Sequence, residues 1–268
     1  MTVQLLIDGE SVAATGNATF DRLDPAGEGV ATTAAAATLE DARRACDAAG
    51  RAFPAWSKMG PNARRDLLLR AADALAARAD EFAALMRAEI GATRGWAAFN
   101  VKLAAGILRE AAAMTTQISG EVLPSDKPGT IALAVRQAAG VSLGIAPWNA
   151  PVILAVRAIA MPLACGNTVI LKASEICPAT HRLIGQVLHD AGLPKGVVNV
   201  LTNAPADAGA LVEALIAHPA VRRVNFTGST KVGRIIAEVS ARHLKPALLE
   251  LGGKAPFVVL DDADLDAA

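Results

Sequence analysis

Val141-Ser142-Leu143-Gly144-Ile145-Ala146-Pro147-Trp148-Asn149-Ala150-Pro151 is the stretch on which the reading of the fold turns. Val141–Ala146 is a short apolar run of the length of a buried strand. It runs into two prolines that hold a tryptophan and an asparagine on a stiff turn. No residue between Arg136 and Arg157 is charged, and Arg157 is the only charge from Gln137 to Leu171. An apolar stretch of that length is long enough to cross a membrane. Gly140, Gly144, Pro147 and Pro151, together with Gln137, Ser142 and Asn149, argue against a membrane helix. Proline breaks helical hydrogen bonding, and lipid offers no replacement partner. The stretch reads instead as buried strand, turn, helix and strand, and no membrane partner is expected.

Toward the C-terminus the same alternation continues. Pro151–Cys165 reads as helix, Thr168–Leu171 as strand, and Ala179–Ala191 as an amphipathic helix stopped by Gly192 and Pro194. Val197–Leu201 is a strand, Ala206–Ala217 a helix, Val221–Phe226 a strand and Thr230–Val239 a helix. Ala247–Leu251 and Phe257–Leu260 are strands. Strands and helices alternating across short Gly/Pro turns predict an α/β fold: a parallel sheet with helices on both faces. Such sheets bind ligands at the carboxyl ends of their strands.

Toward the N-terminus the pattern differs. Residues 3–30, with Asp8-Gly9 and Pro25-Ala26-Gly27 as turns, read as edge strands or an N-terminal arm. Leu39, Ala42, Cys46, Ala49 and Phe53 recur at helical spacing until Pro54, which should end or kink the helix. A second helix runs from about Asn62 to Ile90 with Gly91 at its C′ position, and a third from about Arg94 to Ile118. Gly120, Pro124, Pro128 and Gly129 break any helix, and Thr130–Gln137 partly alternates. Residues 120–138 therefore read as a projecting hairpin, for which an ordinary surface hairpin is the plainer alternative.

Bulk properties narrow the function. The 268 residues have room for one large or two ordinary domains. Hydrophobic residues make up 53% and charged residues 19%, which allows a sizeable core and speaks against disorder. Basic and acidic residues number 26 each, so the basic footprint of a nucleic-acid partner is missing. Cys46, Cys165 and Cys177 have no metal-like spacing, and no metal is expected. An odd cysteine count and an N-terminus without a basic region before an apolar stretch point to the cytoplasm.

Four strand ends carry candidate chemistry. Asn149 sits on the stiff Pro147–Pro151 turn, where its amide would be a good donor to a developing oxyanion, or else forms an Asx turn or helix cap. Val169-Ile170-Leu171-Lys172-Ala173-Ser174-Glu175 ends a strand in a lysine and, three residues on, a carboxylate. Such a carboxylate can accept from ribose hydroxyls, or the two charges form a solvated pair. In Asn225-Phe226-Thr227-Gly228-Ser229-Thr230-Lys231-Val232-Gly233 a strand ends as a helix starts, and free N–H groups at a helix start suit a phosphate. A plain Ser/Thr cap is the alternative. Leu248-Leu249-Glu250-Leu251-Gly252-Gly253-Lys254 holds a lone carboxylate in an apolar strand. Burial would raise its pKa toward that of a general base, unless a buried cation pairs with it.

Taken in order, Pro147-Trp148-Asn149, Lys172-Ala173-Ser174-Glu175, Phe226-Thr227-Gly228-Ser229 and Leu249-Glu250-Leu251-Gly252-Gly253-Lys254 resemble the aldehyde dehydrogenase superfamily across essentially the whole chain. The resemblance implies a variant Rossmann domain, a catalytic domain and a bridging hairpin that builds dimers or tetramers. On that basis residues 1–119 are the N-terminal arm and helices of the NAD-binding domain and 120–138 the oligomerisation hairpin. Residues 139–252 are the Rossmann-like domain, and 253–268 the start of a truncated catalytic domain. The implied cofactor is NAD and the implied substrate a small aldehyde. Asn149 would donate to the oxyanion of a thiohemiacetal and Glu250 would activate the hydrolytic water. Lys172 and Glu175 would hold the adenosine ribose with Ser174 also in the cofactor site, and Gly228 and Ser229 would face the pyrophosphate. Ile145, Pro147, Trp148, Gly209, Phe226, Val232, Gly233, Leu251 and Gly252 would complete the cofactor groove.

Within the superfamily, Pro147–Leu154 followed by Arg157 and Ala158-Ile159-Ala160-Met161-Pro162 is similar to salicylaldehyde and vanillin dehydrogenases, which oxidise aromatic aldehydes. Trp96 and Arg157 match positions near the aromatic substrate, by stacking and by a hydrogen bond to a ring hydroxyl. The alternative is that Trp96 packs on its own helix and Arg157 pairs with a carboxylate. The family's nucleophilic cysteine lies downstream of the Glu250 motif, beyond residue 268. None of the three cysteines matches it, and Cys165 falls at a packing position. The chain alone is therefore expected to bind NAD weakly without oxidising aldehydes. A CoA-acylating relative and a non-catalytic nucleotide-binding or oligomerisation module are the other readings. Glu250 argues against the first of these. An unpaired Phe257–Leu260 strand would be an aggregation hazard.

Overall fold

The computed structural model describes residues 2–267. At its centre lies β7 (Val141–Ile145), whose five residues are all buried. It is flanked in parallel by β8 (Thr168–Lys172) and β10 (Val221–Thr227). β9 (Val198–Leu201) and β11 (Ala247–Glu250) extend the parallel sheet on either side. The register sets Ile145 beside Lys172 and Phe226, and Thr227 beside Glu250. The carboxyl ends of four strands therefore form one row.

The parallel expectation holds for five strands, but the seven-stranded sheet as a whole is mixed, in the order β11-β10-β7-β8-β9-β1-β2. β1 (Leu5–Ile7) and β2 (Glu10–Val12) form an antiparallel hairpin that docks on β9. The reason lies in the residues: Leu5, Leu6 and Ile7 are apolar on both faces and all buried, so they need a sheet on which to pack. Asp8 and Gly9 take positive φ (55° and 76°), as a two-residue hairpin loop that follows strand twist requires. The Asp8 N–H is then held by Asn199 Oδ1 at 3.0 Å. β3 (Thr19–Leu23) and β4 (Val30–Ala35) form a separate two-stranded sheet.

Side chains on the strands alternate between two helical layers. Val169 and Leu171 join the core with α2 (Pro61–Ala77), α3 (Ala79–Ile90), α4 (Arg94–Met114), α5 (Pro151–Ala164) and α6 (Pro178–Asp190). Ile170 joins the other core with α1 (Leu39–Lys58), α7 (Ala208–Ala217) and α8 (Thr230–Arg242). The long uncharged stretch is thus β7, a turn, the buried α5 and β8. No helix among the described residues is long and apolar enough to cross a membrane. Gly144 makes the close seat for α5 possible: a Cβ there would stand 3.1 Å from Ala158 Cβ and 3.3 Å from Ile159 Cγ2.

Several boundaries differ from the sequence reading. α1 does not end at Pro54 but carries it inside. Beyond the proline, Trp56 is 1% exposed and donates from Nε1 to the Leu163 carbonyl, and this anchor outweighs the lost helical bond. The Asn62–Ile90 helix is two helices that meet at Arg78, whose backbone (φ −101°, ψ 24°) is non-helical. Gly91 does take the left-handed conformation that stops α3. The 120–138 hairpin forms, with short strands β5 (Glu121–Leu123) and β6 (Ala132–Ala134) paired only with each other. Phe257–Leu260 is not a strand, and its four side chains are exposed. No strand among the described residues runs beside it, and a strand without a ladder has nothing to hold it.

Candidate functional site

The row of strand ends opens into a groove of about 830 Å³ between the sheet edge, α7 and α8. Ile145, Pro147, Trp148, Asn149, Lys172, Ser174, Glu175, Gly209, Phe226, Gly228, Ser229, Val232, Glu250, Leu251 and Gly252 all line it. Residues from four separate motifs are thereby brought to one cavity, as the topology of a parallel sheet requires. Gly233 is not among the lining residues. It is buried against Leu251, where a Cβ would meet the leucine side chain at 2.4 Å, so its part is to let α8 approach.

At β8 the pair Lys172–Glu175 is no solvated surface pair. Lys172 is 5% exposed, and its ammonium donates directly to Glu175 Oε1. Asn203 Nδ2 donates to the same oxygen at 3.0 Å. Burial pushes the Glu175 carboxyl up, but Lys172 and the hydrogen bonds outweigh it and hold the group below its ordinary range. Asn203 escaped the sequence reading, because Asn-Ala-Pro after a strand reads as an ordinary turn. Its Oδ1 is buried with no partner among the described residues, an acceptor left over beside the carboxylate.

At β10 the chain turns through Gly228, whose N–H donates to the Glu250 carbonyl at 3.0 Å. Ser229 is the N-cap of α8, and its Oγ accepts from the Val232 N–H. The N–H groups of Ser229, Thr230 and Lys231 at the start of the helix have no helical carbonyl to meet, and the positive end of the α8 dipole lies at the groove. Val212 on α7 and Ile235 and Ile236 on α8 add an apolar wall that the motifs had not indicated. Its sequence signal was the wide stripe Val232, Ile235, Ile236 and Val239, of which Val232 and Ile235 stay exposed.

At β7 the turn presents Asn149. The N-cap of α5 is Ala150 and no side chain caps that helix, so Asn149 is not the cap that one reading allowed. Its side chain is exposed toward the groove, while its backbone carbonyl accepts from Trp96 Nε1 at 3.0 Å. Trp96 lies outside the groove, stacked on Phe99 with ring centroids 5.6 Å apart. It does more than pack on its helix, because it fixes the turn that carries Asn149. Arg157 also lies outside the lining, and its guanidinium donates to the Thr227 hydroxyl at 3.1 Å rather than pairing with a carboxylate.

Two expectations need correction. Glu250 is exposed at the end of β11, an outer strand, and not buried as expected. Cys165 is not packed inside but exposed after α5, where Gly166 (φ 81°) turns the chain, and it lines a different depression with Arg64 and Met114. Burial pushes the Cys46 thiol up to about 12 and raises Cys177 as well, and desolvation by the walls of its depression raises the partly exposed Cys165, so none is poised as a thiolate.

The sequence profile of the aldehyde dehydrogenase family matches residues 12–268. The chain belongs to that family. A vanillin dehydrogenase of Pseudomonas fluorescens is 66% identical over the whole chain, which spans 55% of that relative. A salicylaldehyde dehydrogenase of Pseudomonas putida is 48% identical over the whole chain, which spans 56% of it. The crystal structure of a salicylaldehyde dehydrogenase from Pseudomonas putida G7 complexed with salicylaldehyde superposes with a TM-score of 0.94 at 48% identity. It is matched by 100% of this chain and by 55% of its own length. The chain thus spans about half the length of the curated relatives it matches.

Proposed function

We propose that this chain is the cofactor-binding part of an NAD-dependent dehydrogenase that oxidises aromatic aldehydes to carboxylic acids. The observation that carries the reading is the convergence on one groove of a buried ion pair, a helix N-terminus and a free amide. A groove of about 830 Å³ has room for a dinucleotide. Glu175, held ionised by Lys172 and Asn203, offers acceptors to a ribose diol and would repel a 2′-phosphate, which favours NAD over NADP. The unpartnered Oδ1 of Asn203 offers a further acceptor nearby. The mouth of α8 at Gly228-Ser229 suits the pyrophosphate, and the slot between Val212 and Ile235 suits a flat base.

NAD, when bound, supplies the hydride acceptor. The chain's own residues do the rest of the work assigned to this half. The Asn149 amide donates to the oxygen on which negative charge develops when a thiol adds to the aldehyde. Glu250 accepts a proton from the water that releases the acid. The thiol comes from outside these 268 residues, since none of Cys46, Cys165 and Cys177 lines the groove and each sits where the thiolate is disfavoured. Trp96, bonded to the Asn149 turn, and Arg157, bonded to Thr227 at the end of β10, favour an aromatic ring bearing a hydroxyl, in line with the vanillin and salicylaldehyde named for the relatives. The exposed Val122, Leu133 and Val135 of the 120–138 hairpin would dock a second subunit in a homodimer or homotetramer.

The test is calorimetric titration of NAD and NADP into the chain. NAD-linked oxidation of vanillin, salicylaldehyde and an aliphatic aldehyde is then assayed with the chain joined to whatever its reading frame encodes after Ala268. Turnover that favours the aromatic aldehydes and collapses in Glu250→Gln is expected. Turnover unaffected by that substitution, or absence of NAD binding, overturns the assignment.

A further inference from the structure

His181 is fully buried in the first turn of α6 and plays no part in the chemistry above. It touches two of the strand-end loops. Its Nδ1 accepts from the Ser174 N–H at 3.0 Å. Its Nε2 stands 3.2 Å from the Pro151 carbonyl, two residues beyond Asn149. An N–H can only donate, so the Ser174 contact requires a lone pair on Nδ1, and the ring proton must sit on Nε2, facing the carbonyl. One tautomer satisfies both loops, and a doubly protonated ring would point a second N–H at the Ser174 N–H. Burial, aided by Lys172, pushes the ring's pKa down to about 3, which keeps it in that neutral form.

The surroundings make this ring a fixed point. The helix that carries it is anchored by Glu89 of α3, whose carboxylate accepts from the Ala179 and Thr180 N–H groups at 2.8 and 3.0 Å and from the Thr180 hydroxyl at 2.7 Å. Across the Asn149 turn, Trp96 holds the Asn149 carbonyl and the Asn100 side chain receives the Ile153 N–H. The turn is thus gripped from α4 on one side and from His181 on the other. On the far side of the ring, Ser174 leads directly into Glu175.

We propose that His181 is a positioning residue, a neutral imidazole that couples the Ser174–Glu175 loop to the Asn149 turn so that cofactor and oxyanion donor are set by one rigid ring. The inference rests on the reading of this groove as a dinucleotide site, but the coupling can be tested without it. An asparagine places its amide oxygen near the Nδ1 position and does not reach Pro151. A glutamine places its amide nitrogen near the Nε2 position and does not reach Ser174. The two substitutions therefore cut one arm each.

The experiment uses ¹⁵N-labelled chain as wild type, His181→Asn, His181→Gln and His181→Phe, each first shown to melt cooperatively. The Ser174 amide reports one arm. The Trp96 indole N–H, one of three tryptophan signals, reports the other. His181→Asn is expected to shift the Trp96 indole and leave the Ser174 amide. His181→Gln is expected to do the reverse and to weaken NAD about fivefold, the loss of one neutral hydrogen bond. His181→Phe should shift both signals. If Asn and Gln move both signals alike, or move neither, the ring is only a core side chain and the proposal falls. If the signals split as expected but wild type binds no NAD, the coupling stands and the cofactor reading falls.

Discussion

Acid should act on this fold through His181, and the size of the effect follows from its surroundings. The ring is fully buried, and its pKa is depressed from 6.5 to about 3. A depressed base binds its proton in the unfolded chain before it does in the native one. Stability is therefore intact above the unfolded value and falls as pH drops between 6.5 and about 3. At about 1.4 kcal/mol per pH unit, the full loss approaches about 5 kcal/mol, of which about 2 kcal/mol is gone by about pH 5. Lys172 and Glu175 face the ring with opposite effects. Glu175, held below 4.5, loses its own contribution only at lower pH. Glu89, pushed up by burial, works in the opposite sense, because its protonation favours the native state. Urea unfolding of wild type and His181→Gln at about pH 7 and about pH 5 isolates the ring, since the other groups are common to both. The gap between the two proteins should narrow by about 2 kcal/mol on acidification. A gap that does not change with pH would mean that the ring is not held neutral, and the tautomer argument would go with it.

Three further outcomes are expected. Glu175→Gln leaves the Lys172 ammonium buried without its partner, which should cost about 3 kcal/mol in urea unfolding and weaken NAD about tenfold by calorimetry. Gly144→Val drives side-chain atoms into Ala158 and Ile159 and should destabilise by about 2 kcal/mol, read as a lower thermal midpoint. Phe257 and Val258 are 78% and 73% exposed, and light scattering should show the chain associating with rising concentration. The double change Phe257→Asp, Val258→Asp should reduce that association.

What could be read in the sequence was what depends on short-range pattern and on topology. The strand–helix alternation after residue 139 places every strand end on one edge, so the motifs at Asn149, Glu175, Ser229 and Glu250 could be assigned to one groove before any distance was known. What could not be read depends on partners far away in sequence. Pro54 left a stop or a kink open because the anchoring of Trp56 on Leu163 is invisible locally. Glu250 looked buried because an apolar strand does not reveal that it lies at an outer edge. Asn203 and His181 carry no motif, and their parts come from bonds to Glu175, Ser174 and Pro151 that only the packing of the loops creates.

The docking of the N-terminal hairpin on β9 has a consequence for how the chain folds as it is made. Asp8 and its partner Asn199 are 191 residues apart, so the first strand leaves the ribosome long before the edge that receives it exists. Until then Leu5, Leu6 and Ile7 are an apolar segment without a sheet, closing a loop whose entropy must be spent late. The β7–β10 layers can assemble without waiting for this segment. The N-terminus is then stitched in only once β9 has been made, and until that point it is open to capture by a chaperone or by a neighbouring chain during synthesis.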